Sequence, residues 1–116
     1  MNMAVNPESE DTKLETHLST VARGPRVTLG QITVLLDALR YETVVIPGTT
    51  CTVAAAILPN GFVVAIDKSA SASPENFNAE IGKRIAIANA REKAKAKLWE
   101  FEGYWLKKTV ASDADA

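Results

Sequence analysis

One histidine and one cysteine are all that the chain holds of the two residue types that most often bind metals or carry acid–base and thiol chemistry. The histidine, His17, lies in an N-terminal stretch rich in Asn, Glu, Ser, Thr and Asp, with no hydrophobic period. Zinc sites built on His and Cys, and catalytic dyads built on His, are thereby excluded. A lone cysteine also rules out a disulfide framework and fits a reducing compartment. Cys51 stands in Thr-Thr-Cys-Thr-Val, which reads as strand, so a buried and inert thiol is expected. No apolar run approaches the roughly 20 residues of a membrane-spanning helix. The acidic, polar N-terminus is no secretory signal. A soluble intracellular protein without a membrane partner is the expectation.

Other absences narrow the chemistry. No Gly-rich loop precedes a helix in a phosphate-binding or dinucleotide pattern. Neighbouring carboxylates such as Glu100 and Glu102 are two apart on a helix, so they point away from each other and form no dyad. No catalytic residue, metal or cofactor is assigned, and the expectation is a protein that is not an enzyme.

What is present suits one small domain of 116 residues, 47% of them hydrophobic. The net charge of −1 is unevenly placed. Residues 26–110 hold 11 Lys and Arg against 8 Asp and Glu, while acids dominate both ends. Residues 1–25 and 111–116 read as disordered on composition. The segment RVTLGQITVLLDALR predicts a helix over 29–39, because Thr28 and Gln31 fit a capping box and Leu29, Ile32, Leu35, Leu36 and Leu39 make an apolar stripe. YETVVIPG, TCTVAAAIL and FVVAIDKS read as strands. Leu58-Pro59-Asn60-Gly61-Phe62 has the chemistry of a tight hairpin, and Pro47-Gly48 marks a looser turn.

A long helix is predicted from Pro74 to about Lys108, with Ser73 as its cap. Phe77, Ile81, Ile85, Ala88 and Trp99 fall on one face of it. Ile87, Ala94, Leu98, Phe101 and Trp105 fall on an adjacent face. That drift implies contact first with the sheet and then with another chain or the N-terminal helix. Gly103 is a candidate break. The fold class is α+β: a short N-terminal helix, a small antiparallel sheet (a meander or hairpin) and a long C-terminal helix packing on it, all in one domain over 26–110.

The Ser-rich entry to the long helix carries the main functional candidates. Ser73 and Pro74 suffice for capping, which leaves Ser69, Ser71 and Asn76 as surplus polar groups beside backbone N–H donors. Among the cations of the helix, Arg84 and Arg91 are two turns apart on one side and could converge on one anion. Lys83, Lys93, Lys95 and Lys97 scatter around it and read as a solvated surface.

The run from Leu58 to Lys108 also bears a resemblance. Asn60-Gly61-Phe62, Ser69-Ala70, Ser73-Pro74-Glu75-Asn76-Phe77, Glu80-Ile81-Gly82, Trp99 and Gly103-Tyr104 together resemble small bacteriophage proteins of the gene-product-49/gene-66-like family, over about residues 26–108. The chain departs from that pattern at Ser71, where members often carry Cys, and at Asn78, where Asp is common. The resemblance implies a phage or prophage protein acting in the host cytoplasm and not a part of the virion. A looser likeness connects it with the Thoeris anti-defence sponges, oligomers that sequester cyclic nucleotide immune signals.

The leading expectation is therefore a homo-oligomeric, non-enzymatic counter-defence protein that captures a small anionic nucleotide-type ligand. Ser71, Ser73, Asn76, Arg84 and Arg91 are its candidate polar contacts, and Phe62 and Tyr104 its candidate stacking rings. A rival is an interaction module that modulates a host protein through Trp99, Phe101 and Trp105. Nucleic-acid binding through the lysines is the least favoured partner, given the acidic pI near 5.8.

Overall fold

The computed structural model describes residues 7–21 and 24–115. The chain runs through helices α1 (Pro7–Val21) and α2 (Leu29–Ala38), strands β1 (Arg40–Val45), β2 (Cys51–Ile57) and β3 (Val63–Ala70), and helix α3 (Ala79–Asp115). The strands form an antiparallel meander in the order β1-β2-β3. The helices α2 and α3 supply the second layer, so the α+β expectation holds.

Local chemistry explains the joints. The Thr28 hydroxyl accepts from the Gln31 N–H at 3.2 Å while the Gln31 side chain accepts from the Thr28 N–H at 2.8 Å. That is a complete capping box. In the first turn of the meander the Thr49 N–H donates to Ile46 O at 3.1 Å, and Gly48 takes φ +78°. In the second, the Gly61 N–H donates to Leu58 O at 2.8 Å, the Leu58 N–H to Phe62 O at 2.9 Å, and Gly61 takes φ +90°. Pro59, Asn60 and Gly61 thus perform the roles expected of them.

Two boundaries differ from the sequence expectation. The stretch over 1–25 that composition assigns to disorder is helical from Pro7 to Val21; its residues 1–6, 22 and 23 lie outside the described residues. An ion pair from Asp11 to Lys95 and another from Glu15 to Arg26 tie this helix down, which composition cannot register. The long helix starts at Ala79 and not at Pro74, and it passes through Gly103 without a break to Asp115. The single 3₁₀ turn Pro74–Asn76 precedes it.

Among the described residues eleven make the core cluster, and six are alanines: Ala54, Ala56 and Ala65 in the sheet and Ala86, Ala90 and Ala94 in α3. Small residues on both sides let the helix lie close on β2 and β3. Ile32, Leu36 and Leu39 of α2 and its cap, with Val64 and Leu98, complete the cluster. The buried face of α3 is therefore Ala86, Ala90, Ala94 and Leu98. Ile81 and Ile85, expected to face the sheet, are 54% and 46% exposed. The bulkier stripe points away because the alanine stripe is the one that fits.

The sheet has two further properties. The outer edge of β3 is closed by α3, since Asn89 Nδ2 donates to Lys68 O at 3.0 Å and Lys93 Nζ to Ile66 O at 3.1 Å. The face away from α3 is open and apolar along β2, with Arg40, Glu42 and Lys68 at its rims. Cys51, Val53 and Ala55 alternate with the buried Thr52, Ala54 and Ala56, so they point outward. Val44 pairs with Val53, and Ile66 with Ala55, which places all four on this face.

Candidate functional site

At the Ser-rich entry the Ser73 side chain and several backbone groups are engaged in local hydrogen bonds. Ser69 pairs with Thr52 within the sheet. The Ser71 carbonyl accepts from Thr50 Oγ1 at 2.7 Å. Ser73 Oγ accepts from the Glu75 N–H at 3.3 Å, and the Asn76 N–H donates to Ser73 O at 3.1 Å. Ser73 thus caps the short turn and not α3. Asn78 caps α3: its Oδ1 accepts from the Ile81 N–H at 3.1 Å and its carbonyl from the Gly82 N–H at 2.8 Å. An amide accepts such a bond as well as a carboxylate does, so Asn at this position keeps the helix start intact.

The two arginines part company. Arg91 turns to α2, where Nη1 donates to Leu36 O at 3.4 Å and Nη2 lies 3.8 Å from Asp37 Oδ1. A cation at the end of α2 complements its dipole and joins α2 to α3. Arg84 is exposed near the start of α3.

Phe62 and Tyr104 lie at the opposite end of the sheet from these polar groups. Ser71 follows β3 and Phe62 precedes it. At about 3.3 Å per residue the eight-residue strand between them alone spans roughly 23 Å, so they lie at least that far apart. Within one chain, a single small ligand cannot touch both groups.

What gathers at the hairpin end is aromatic. The sheet stops at Phe62, whose ring meets Phe101 of α3 edge to face at 6.1 Å between centroids. From there α3 continues for 14 residues, to Asp115, beyond the sheet. At 3.6 residues per turn, Lys97, Phe101, Tyr104, Trp105 and Lys108 share the side that further back packs on β2 and β3. Phe101, Tyr104 and Trp105 are 41%, 69% and 63% exposed. The hydrophobic stripe of the helix thus outlasts its sheet.

Trp99 belongs elsewhere. It borders a cleft of about 240 Å³ lined also by Asp11, Leu14, Glu15, Leu18 and Leu29, between α1, α2 and α3. The surface expected from Trp99, Phe101 and Trp105 is therefore split, with Trp99 under α1 and the other two on the overhang. Beside this cleft, the Arg26 guanidinium holds the Glu15 carboxyl below its usual range, against partial desolvation and with help from the Leu29 N–H. The Glu15–Arg26 contact is 2.7 Å.

Sequence reasoning missed Asn78, Lys97 and Lys108 as contributors. Asn three residues before the apolar Ile81 was a readable cap signal. The two lysines gain meaning only once the end of the sheet beneath the helix is known. Among the described residues no helix is long and apolar enough to cross a membrane.

The family whose description reads "Phage protein (N4 Gp49/phage Sf6 gene 66) family" matches this chain over residues 27–110. The match covers α2, the whole sheet, the Asn78 cap and α3 as far as Val110, and leaves α1 outside. No curated protein and no solved structure matches the chain.

Proposed function

Because the chain belongs to this phage protein family, we propose that it is a non-enzymatic, phage-encoded binding protein that docks a protein partner on the overhang of α3. The observation that carries this reading is the run of exposed rings on the packing side of α3 after the sheet has ended. Three rings on one rigid helix are what interface anchors consist of, since they bury large area at small entropic cost. Lys97 and Lys108 on the same side suit a partner segment that is apolar with acidic flanks. The surface is convex, whereas small-molecule sites are concave and enclose most of their ligand.

The test uses the full chain as bait in host lysate beside two variants, Tyr104→Ala/Trp105→Ala and Lys97→Glu/Lys108→Glu. A stoichiometric protein retained by the wild type and lost with both variants is expected. The same proteins on all three baits would sink this reading.

A second reading keeps the capture of an anionic nucleotide signal. It is favoured by one observation: two stacking rings, Phe62 and Tyr104, stand at the same end as Lys97 and Lys108. Ser71, Ser73, Asn76 and Arg84 would join them only from a second copy. Calorimetric titration with cyclic dinucleotides and ADP-ribose-type ligands separates the two, because the overhang reading predicts no heat.

A further inference from the structure

We infer that the seat of α1 on α2 and α3 is a docking site for an acidic amphipathic helix of a partner protein, and that α1 occupies it until the partner displaces it. Of the side chains from Glu10 to Val21, only Asp11, Glu15 and Leu18 are withdrawn from solvent, and these only in part. Two of the three are carboxylates. Asp11 pairs with Lys95 of α3, and Glu15 pairs at 2.7 Å with Arg26, just ahead of α2. The four side chains are between 18% and 33% exposed, so both pairs are shielded in part. Leu14 borders the same cleft but is 58% exposed. Charge therefore seats α1 more than apolar contact does.

The seat itself states what it accepts. Leu29 and Trp99 are its apolar floor, and Lys95 and Arg26 are the cations beside them. Leu29, Lys95 and Trp99 lie within the family match, which begins at residue 27, whereas α1 lies outside it. With α1 removed, two partly desolvated cations would lose their partners, which is costly unless other carboxylates replace them. Asp11, Leu14, Glu15 and Leu18 stand at i, i+3, i+4 and i+7, the anchor spacing by which an amphipathic helix is held in a groove. A partner helix with acids four residues apart and apolar residues at the other two positions meets the same floor and the same cations.

The present occupant fits the seat incompletely. About 240 Å³ of cleft stays open between α1 and the two helices beneath it. A 15-residue helix is marginal by itself, and a segment with few apolar contacts opens at small cost in free energy. The open volume also sets a preference, since a cavity of about 150 Å³ already admits a benzene ring. A helix with Phe in place of Leu14 gains contacts that α1 lacks. The preferred partner therefore carries an aromatic side chain between its two acids.

The test is fluorescence anisotropy of a labelled peptide of residues 7–21 carrying Leu14→Phe, titrated with the full chain. In Asp11→Lys/Glu15→Lys the chain's own α1 is repelled by Lys95 and Arg26. This variant should bind the peptide at least tenfold more tightly than the wild type, in which α1 competes from the same chain. The peptide with Leu14 kept should bind it several-fold less tightly. Adding Arg26→Glu/Lys95→Glu reseats the altered α1 and should abolish binding. Glu15→Gln alone should raise the affinity several-fold over wild type, which keeps the test sound if the lysine variant fails to fold. Tyr104→Ala/Trp105→Ala should leave each affinity unchanged, which separates this inference from docking on the overhang. Equal binding by the wild type and Asp11→Lys/Glu15→Lys, or no binding up to millimolar concentration, overturns it. So does a wild-type dimer in sedimentation that the peptide dissociates, because α1 of a second copy would then be the occupant.

Discussion

Phe62 and Phe101 meet with their ring planes at 72°, and this contact marks where the sheet ends and α3 goes on alone. Both rings are about half exposed, 50% and 41%. Phe62→Ala should therefore cost only about 1–2 kcal/mol in urea unfolding, from partial burial plus one edge-to-face pair. Tyr104→Ala/Trp105→Ala should leave stability within about 0.5 kcal/mol. An equal loss for both would show that the overhang packs on the domain.

The alanine seam makes a sharper contrast. Ala90 is fully buried between helix and sheet, so Ala90→Leu should destabilise by at least about 1–3 kcal/mol. Ile85→Ala, on the exposed side of the same helix, should change stability by less than about 1 kcal/mol. The reverse ranking would mean that α3 is rotated from the orientation described.

Two glycines of α3 should respond oppositely to alanine. A methyl group at Gly103 meets nothing within 4 Å, so Gly103→Ala should stabilise by close to the ~1 kcal/mol difference in helix propensity. At Gly82 the same group would stand 3.0 Å from Thr52 Oγ1, a buried hydroxyl, and 3.7 Å from the Phe77 ring. Gly82→Ala should forfeit the gain or lower the melting temperature. Differential scanning calorimetry of the two variants decides it.

The Glu15–Arg26 pair sets a pH dependence for α1. Arg26 lowers the Glu15 pKa in the folded chain, so the pair's contribution is present above the ordinary carboxylate range. It is lost as pH falls through the lowered value. In a Trp105→Phe background, Trp99 emission should shift to the red as α1 loosens below the ordinary carboxylate range. Adding Glu15→Gln should bring part of that shift to neutral pH. Identical titrations with and without Glu15 would show that the pair does not hold α1.

The parts of this fold legible in the sequence are those written in local chemistry. Thr28 and Gln31 announce α2, and Pro59, Asn60 and Gly61 announce the hairpin, because turns and caps depend on a few adjacent residues. The orientation of α3 was not legible. Ile81 and Ile85 outweigh Ala86 and Ala90 on any hydrophobic scale, yet the alanines face the sheet because Ala54, Ala56 and Ala65 oppose them. Ser73-Pro74 has the chemistry of a helix cap, while Asn78 caps α3 after an intervening turn. The candidate site dispersed for a similar reason. Phe62 and Ser71 are nine residues apart in sequence, but an extended strand puts that separation to full use.

The closed edge of β3 has a consequence for how far such sheets can grow. A meander with two open edges can add strands from successive molecules without limit, which is how fibres start. With Asn89 and Lys93 seated on β3, β1 alone is left to recruit another strand. Pairing β1 with β1 of a second molecule closes about a two-fold axis and consumes both edges. Edge-to-edge association of this protein should therefore favour a pair through β1 over continued growth.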